Sequence, residues 1–223
     1  MDLPERDGAR VDEMDLPERD GARVDDQVAV VACGALTSHI QGVVRRRGWP
    51  VRVYSLPPLL HDRPRRIAGA VEELGLRVAS RHRGVVVGYA GCGTRGELDE
   101  VCARHGWPML RGAHCYDVFA GPEQVAALVT QEPGTYLLTD YLVRSFHRSV
   151  VVELGLDRYP ELRADYFGHY RRVVWLAQLA DPRLRAAARA AAAYLHLPLL
   201  EIRVGEGGLE AGLEGMLMLT TTS

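Results

Sequence analysis

The chain has 223 residues, 47% of them hydrophobic, which is enough apolar side chain to bury the core of one sizeable domain. Its formal net charge of -2 and its pI near 6.4 provide no overall positive surface for nucleic acid or for an anionic membrane. All 27 basic residues are arginine, which excludes Schiff-base chemistry and a P-loop lysine. We therefore expect a small-molecule ligand and no nucleic-acid partner.

The sequence also predicts the compartment. Its N-terminus has no apolar signal core, and no window approaches the roughly 18 apolar residues that span a bilayer. We therefore expect a cytoplasmic protein that does not bind membranes. In a reducing compartment, the four cysteines are expected to be thiols or metal ligands rather than disulfides.

The first 26 residues are a tandem duplication, in which residues 1–13 are repeated almost unchanged as residues 14–26. The segment is charged and has almost no apolar content, which is typical of a disordered tail. We expect the fold to begin near Gln27. Deleting residues 1–13 should therefore leave folding and metal content unchanged.

From Gln27 onward, apolar runs alternate with amphipathic ones. The predicted strands, each expected to be buried on both faces, cover residues 28–32, 51–56, 85–90, 109–111 and 199–204. The predicted helices between them cover residues 37–47, 64–76, 95–105 and 122–131. This β-α-β-α order predicts an α/β fold with a doubly wound, mostly parallel sheet and right-handed crossovers.

The C-terminal half is predicted to be more helical. A helix over residues 159–179 would place one apolar stripe along Leu162, Tyr166, Tyr170, Val173 and Ala177. Asp181 followed by Pro182 predicts the cap and first turn of a further, alanine-rich helix. We therefore expect residues 27–223 to form a single α/β domain, with a helical annex over residues 140–195.

Three of the four cysteines follow predicted strands. Cys33 comes after the first strand, Cys92 after the third and Cys115 after the fourth. Because the carboxyl ends of parallel strands meet at one edge of a sheet, the three thiols are expected to converge there on a metal ion. Cys102 lies inside a predicted helix, and we assign it to packing.

The identity of the metal stays open at this point. His114, next to Cys115, is a candidate fourth ligand. None of the cysteine spacings is the short C-x-x-C that would distinguish a zinc site from an iron–sulfur cluster, so both cofactors remain candidates.

Four further polar residues are candidates for catalytic or ligand-orienting roles. His61 and Arg63 lie in the segment LHDRP at a predicted helix entrance, and Arg95 follows Cys92 at another. A guanidinium at a helix N-terminus can bind a carboxylate or a phosphate. Asp140 lies within an apolar run and needs a partner if it is buried.

A competing motif overlaps the Cys92 loop. Gly91, Gly93 and Gly96 form a G-x-G-x-x-G pattern between a predicted strand and a predicted helix, and Asp117 follows about twenty residues later, as in dinucleotide-binding sites. The pattern follows the third strand instead of the first, however. Dinucleotide-dependent catalysis therefore remains an alternative to a metal site.

Seven ordered segments carry a resemblance to a known family. They are ACGAL, LHDRP, YAGCGTRGELD, GAHCYDVFAG, EPGTYLLTDYLVR, GLDRYPEL and YFGHYRRVVWLAQ, and the resemblance that they carry covers residues 28–210. In these segments the chain resembles the prokaryotic family called domain of unknown function 1638. The family pattern places cysteines at the positions of Cys33, Cys92 and Cys115. His39 and His169 depart from the pattern and are not carried over.

The resemblance implies a link to corrinoid proteins and to methyltransferases of one-carbon metabolism. A site of three protein ligands with one open position would suit zinc-activated methyl transfer to a thiol, and an iron–sulfur cluster with one open iron would use the same ligands. A nonenzymatic metal or corrinoid accessory protein is the alternative from another class. In either case a corrinoid would be supplied by a partner protein.

Overall fold

The protein forms two parallel three-stranded sheets in a computed structural model that describes residues 25–221. Almost all of the duplicated N-terminal segment lies outside the described residues. Its last two residues, Asp25 and Asp26, belong to the first strand, so this strand begins two residues before Gln27. Among residues 25–221, no helix combines the length and the apolarity needed to cross a bilayer.

The first sheet has the strand order β2-β1-β3, from β1 (Asp25–Cys33), β2 (Val51–Leu56) and β3 (His82–Gly88). All pairings are parallel, and the apolar run of β1 is buried on both faces, as expected for a central parallel strand. The predicted fourth strand is reduced to a single parallel bridge between Val87 and Met109.

Three helices cover this sheet. They are α1 (Thr37–Arg47), α2 (Ile67–Ala79) and α3 (Glu97–His105). Two short 3₁₀ turns, Pro58–Asp62 and Pro64–Arg66, connect β2 to α2. Helix α1 ends where Gly48 adopts a left-handed conformation with φ 60°, which glycine reaches without a steric cost.

The second sheet has the sequential order β4-β5-β6. The second half of the chain contains these elements in chain order: α4 (Cys115–Ala120), α5 (Pro122–Gln131), β4 (Thr135–Thr139), α6 (Asp140–Phe146), a π-helical turn (His147–Val152), α7 (Leu162–Phe167), β5 (Arg172–Ala177), α8 (Pro182–Leu195), β6 (Leu199–Arg203) and α9 (Gly207–Thr221). As predicted, Asp181 caps α8, where its carboxylate accepts from the Arg183 amide at 2.8 Å.

The α/β class is confirmed, but two expectations within it were wrong. The strands form two sheets instead of one. The helix predicted over residues 159–179 stops at Phe167, and β5 begins at Arg172. The run from Val173 to Ala177 is buried as the central strand of the second sheet, so its apparent helical stripe came from an uninterrupted apolar segment.

The C-terminal helix joins the two halves of the molecule. Leu209, Leu213 and Met216 of α9 are buried in the core of the first sheet, although α9 follows the last strand of the second. At the start of this crossover, Glu206 lies 2.6 Å from Nδ1 of His39 on α1. Helix α9 therefore packs against the first sheet after the chain has left the second.

Candidate thiol site

The strand order of the first sheet places a topological switch point between β1 and β3. The chain leaves β1 toward β2 on one side and later returns to β3 on the other, so the connections diverge at the carboxyl ends of β1 and β3. Ligands of open α/β sheets bind at such switch points. Cys33 is the last residue of β1, and Cys92 follows β3 by four residues.

Two backbone hydrogen bonds join the Cys92 loop to the segment that precedes Cys115. The Gly91 amide donates to the Gly112 carbonyl at 2.9 Å, and the Cys92 amide donates to the Ala113 carbonyl at 2.7 Å. A Cβ atom at Gly91 would lie 3.3 Å from the Ala113 carbonyl oxygen, so glycine permits this close approach. The first turn of α4 thereby brings Cys115 to the same edge as Cys92.

The Cys92 loop has an unusual backbone. Cys92 has φ 44° and Arg95 has φ 55°, and both are L-residues in the left-handed region. Each such residue costs about 1–2 kcal/mol relative to a right-handed conformation. Thr94 helps to hold the turn, since its hydroxyl donates to the Gly91 carbonyl at 2.7 Å. Strain of this kind is typical of segments that position a functional group.

The three thiols share a poorly solvated environment. Cys33 is 1% exposed and Cys92 is 8% exposed, while Cys115 is half-buried. Burial raises the pKa of Cys33 to about 12 and that of Cys92 to about 11, and it raises the pKa of Cys115 further. Burial is the larger cause for Cys115, and a negative charge on Cys92 or Cys33 raises its pKa further. The thiols are therefore close enough to affect one another and are neutral at ordinary pH.

Backbone amides oppose this effect at each sulfur. Burial is the larger influence on the pKa of Cys33, but the amides of Ala35 and Leu36 lower it. The Cys115 amide likewise lowers the pKa of Cys92, against the effect of burial. Amide hydrogen bonds to sulfur support the thiolate form, which is the form that binds metals.

His61 is the imidazole that contacts a thiol. Its Nε2 lies 3.7 Å from the Cys33 sulfur, and its Nδ1 lies 3.0 Å from the Pro58 carbonyl oxygen. Because that oxygen can only accept, Nδ1 carries the proton in the neutral ring, and the Nε2 lone pair faces Cys33. His114, in contrast, has an exposed side chain, with its ring centroid 6.3 Å from that of Tyr116. The structure thus places His61, and not His114, against the buried thiols.

The sequence analysis missed Tyr89. Its side chain is fully buried, and its hydroxyl makes no hydrogen bond of regular geometry among the described residues, although it lies within hydrogen-bonding reach of the Cys33 sulfur. Burial raises the pKa of Tyr89, and charges on Cys33 and Cys92 raise it further, so the phenol lies beside these thiols. An unsatisfied buried polar group costs about 1–3 kcal/mol. A tyrosine directly after a buried strand and just before Gly91 was the available signal.

The remaining predicted residues fall into two groups. Arg63 and Arg95 are exposed on loops at the thiol edge. Asp140, in contrast, is fully buried at the carboxyl end of β4 in the other sheet. Its carboxylate accepts from Trp175 Nε1 at 2.9 Å and from the Leu179 amide at 2.8 Å. These bonds account for Asp140 through structure, without a catalytic role.

The geometry gives little support to dinucleotide binding at Gly91, Gly93 and Gly96. Helix α3, which follows this loop, carries three acidic residues in its first turn, and they would repel a pyrophosphate. Asp117, the candidate ribose ligand, accepts instead from the Ala113 amide at 2.7 Å and from the His114 amide at 3.2 Å. Asp117 therefore caps α4.

A family comparison gives the chain its place among known proteins. The model of a family described as "Protein of unknown function (DUF1638)" matches residues 55–213, which is more than half of the chain. The chain belongs to this family. The match includes His61, Cys92 and Cys115, whereas Cys33 lies before it. No curated protein and no solved structure matches the chain.

Two features of this DUF1638 protein qualify the thiol site. Cys102 is separate from it, since Cys102 lies in α3, where burial and then the Asp99 charge raise its pKa to about 11. In the described part of the chain, no three His, Cys, Asp or Glu side chains stand in an arrangement that would hold a metal ion without adjustment. Metal binding at Cys33, Cys92 and Cys115 therefore requires their sulfurs to move closer together.

Proposed function

We propose that this DUF1638 protein binds a metal, as zinc or an iron–sulfur cluster, through the thiolates of Cys33, Cys92 and Cys115. The observation that carries the proposal is the convergence of three cysteines, from three separate segments, on the switch-point edge of the first sheet. We further propose that the site serves methyl or one-carbon transfer linked to a corrinoid partner protein. A cytoplasmic location would keep these thiols reduced.

The types of donor present at this edge suit such a metal. Its three sulfurs supply the soft donors that zinc and iron–sulfur clusters use. Amides directed at Cys33 and Cys92 support the charged form of each thiol. His61 is the candidate fourth ligand, because its Nε2 already faces Cys33 and its Nδ1 is held by the Pro58 carbonyl. Rotation of the cysteine side chains about χ1 would supply the adjustment that binding requires.

The bound metal would act as a Lewis acid that keeps a substrate thiol in its nucleophilic form at neutral pH. The chain's own residues have separate roles in this proposal. When the fourth position is left open for the substrate thiol, His61 is not a ligand, and its Nε2 lone pair instead accepts the proton of that thiol. The hydroxyl of Tyr89 donates to an oxygen of the bound ligand. The buried wall around Cys33 excludes water from the reacting atoms.

Metal analysis of matched cysteine variants tests the proposal. Cys33→Ala, Cys92→Ala and Cys115→Ala should each lose most of the metal, because removing one thiolate opens the ligand set. Cys102→Ala is the control, since it removes a buried thiol outside the site, and it should retain full occupancy. A visible spectrum of anaerobically purified protein separates a coloured iron–sulfur cluster from colourless zinc. Equal metal content in all four variants would contradict the proposal.

The contact between Cys33 and His61 favours a second candidate function. A thiol 3.7 Å from an oriented imidazole can act as a metal-free nucleophile, with His61 as its base. This candidate predicts metal-free protein in which only Cys33→Ala and His61→Ala lose thiol reactivity. A nonenzymatic accessory role predicts instead a stable complex with a corrinoid protein and no turnover.

A further inference from the structure

Five exposed arginines surround the segments that carry the thiol site. We call them the arginine rim, and they are Arg63, Arg65, Arg66, Arg95 and Arg111. They lie on residues 57–66, 89–96 and 111–114, the same segments that carry or directly precede His61, Cys92 and Cys115. No carboxylate among the described side chains forms an ion pair with any of the five. No described carboxylate therefore neutralises their positive charge.

The sequence of these segments explains the excess of positive charge. Residues 57–66, 89–96 and 111–114 contain five arginines and a single carboxylate, Asp62. Elsewhere on the surface, arginines near carboxylates pair with them, as Arg104 does with Glu72 at 2.7 Å and Arg47 with Glu210 at 2.9 Å. A guanidinium presents a planar set of donors that binds carboxylate and phosphate oxygens in pairs.

The buried side of the thiol site offers a second, independent feature. Tyr89 is fully buried beside Cys33 and Cys92, and the Cys33 sulfur, a weak acceptor, lies within hydrogen-bonding reach of its hydroxyl, which makes no bond of regular geometry among the described residues. A phenol can donate one hydrogen bond, so a ligand oxygen at the thiol site would satisfy it. The arginine rim thus provides exposed positive charge on the segments that carry the thiols, and Tyr89 provides a buried hydroxyl beside Cys33 and Cys92.

The surroundings limit the size of the ligand. Glu97, Asp99 and Glu100 are exposed on the first turn of α3, directly after the loop that carries Arg95. These carboxylates would repel an extended polyanion such as nucleic acid, and the net charge of -2 provides no wider positive surface. These carboxylates therefore favour a compact anion over an extended polyanion.

We propose that the thiol site takes a small organic anion with two or more negative charges, whose carboxylate or phosphate groups pair with the arginine rim and one of whose oxygens accepts from Tyr89. The proposal rests on the proposed function for the location of the site, and it names the class of substrate for that site. It requires no particular metal.

Two alkylating reagents of similar size, one negatively charged and one neutral, test the arginine rim. Iodoacetate is an anion and iodoacetamide is neutral, so the ratio of their rates at one cysteine reports the local charge. The ratio is measured by peptide mass spectrometry at Cys33, Cys92 and Cys115, with Cys102 as an internal reference. In the rim variant all five rim arginines are changed to glutamine, and the ratio at the site should fall about tenfold.

A charge-matched control variant replaces five exposed arginines elsewhere with glutamine. These are Arg45, Arg83, Arg158, Arg183 and Arg189. The control should keep the wild-type ratio within about twofold, since charges farther away than about 10 Å are screened at moderate salt. An equal ratio in the wild-type protein and the rim variant would overturn the proposal.

Protection by small anions tests the role of Tyr89 and separates the two ligand chemistries. Citrate and glycerol phosphate are added at constant ionic strength, and the concentration that halves the alkylation rate at Cys115 is measured. Tyr89→Phe should raise that concentration about tenfold for the better protectant, because it removes one buried hydrogen bond to the anion. Protection by citrate alone identifies a carboxylate ligand, and protection by glycerol phosphate alone identifies a phosphate ligand.

Failure of this inference can be distinguished from failure of the proposed function. Metal content is measured on the same wild-type and variant samples. Full metal occupancy without anion protection in the wild-type protein would overturn the anion proposal and leave the metal proposal intact. Anion protection that depends on the rim, in protein without metal, would support the anion proposal and contradict the metal one.

Discussion

The carboxyl edges of the two sheets are built in opposite ways. At the edge of the second sheet, the buried Asp140 carboxylate accepts from Trp175, Gln178 and Leu179, and the Gln178 side chain accepts from the Asp140 amide at 2.7 Å. At the edge of the first sheet, the buried Tyr89 hydroxyl makes no bond of regular geometry among the described residues and has the weak acceptor Cys33 within reach, and Cys92 has a left-handed backbone.

This difference indicates that the Asp140 edge of the second sheet contributes to stability, whereas the Cys92 edge of the first sheet is suited to a ligand. A closed hydrogen-bond network rigidifies a fold and leaves nothing for a ligand to satisfy. Unsatisfied polar groups and backbone strain cost stability, and they are typical of functional sites. We infer that the edge of the first sheet binds the ligand, while the edge of the second sheet stabilises the fold.

The largest expected effect on the free energy of unfolding is at the edge of the second sheet. Asp140→Ala removes the acceptor of the Trp175 indole and of two buried amides, so the free energy of unfolding should fall by about 3 kcal/mol or more. Urea unfolding measures this loss. Asp165→Ala, at an exposed carboxylate, is the control and should change stability by less than about 0.5 kcal/mol. Metal content per folded molecule should stay unchanged, and its loss would place Asp140 in the thiol site.

The contact between the two halves should give the next largest effect. Glu206 is 11% exposed and accepts from buried His39, whose Nε2 has no partner among the described residues. Glu206→Ala would leave both ring nitrogens of His39 unpaired, and the free energy of unfolding should fall by about 2 kcal/mol.

Glu214→Ala is the matched control for this contact. Glu214 is 38% exposed and pairs with Arg47, so its replacement should cost at most about 1 kcal/mol. Equal losses in the two variants would show that the buried His39 pair does not hold α9 to the first sheet.

The smallest expected effect on the free energy of unfolding comes from backbone strain in the Cys92 loop, at the edge of the first sheet. Arg95 is exposed with φ 55°, so Arg95→Ala keeps the strained conformation, whereas Arg95→Gly releases it. The glycine variant should be more stable than the alanine variant by about 1 kcal/mol in chemical unfolding. Both variants remove the same guanidinium, so anion protection at Cys115 should weaken equally. A less stable glycine variant would contradict the strained geometry of this loop.

Local signals in the sequence were sufficient for much of the first half. Helix α1 and strand β2 have their predicted bounds. Helix α1 is amphipathic and is followed by Gly48, and Pro50 and Pro57 flank strand β2. The shared edge of Cys33, Cys92 and Cys115 followed from the parallel strand order. Strand β6 was predicted, but β4 and β5 of the second sheet were missed, since β4 is only five residues long and β5 has an apolar run without alternation.

Side-chain direction could not be predicted from the sequence. His114 lies next to Cys115, yet its ring is exposed, whereas His61 is 28 residues from Cys33 and contacts it. That contact depends on the 3₁₀ turn at Pro58–Asp62, whose Pro58 carbonyl orients the imidazole. Tyr89 was missed for the same reason, because a tyrosine after a buried strand usually packs in the core.

The most direct test of the thiol site is X-ray absorption spectroscopy of the metal in protein purified without added metal. We predict a first shell of three sulfur ligands at about 2.3 Å, with at most one nitrogen or oxygen ligand if the metal is zinc. Cys102→Ala should give the same spectrum, and Cys92→Ala should lose sulfur from the shell. A shell of nitrogen and oxygen alone, or a spectrum that does not change in Cys92→Ala, would contradict a metal held by Cys33, Cys92 and Cys115.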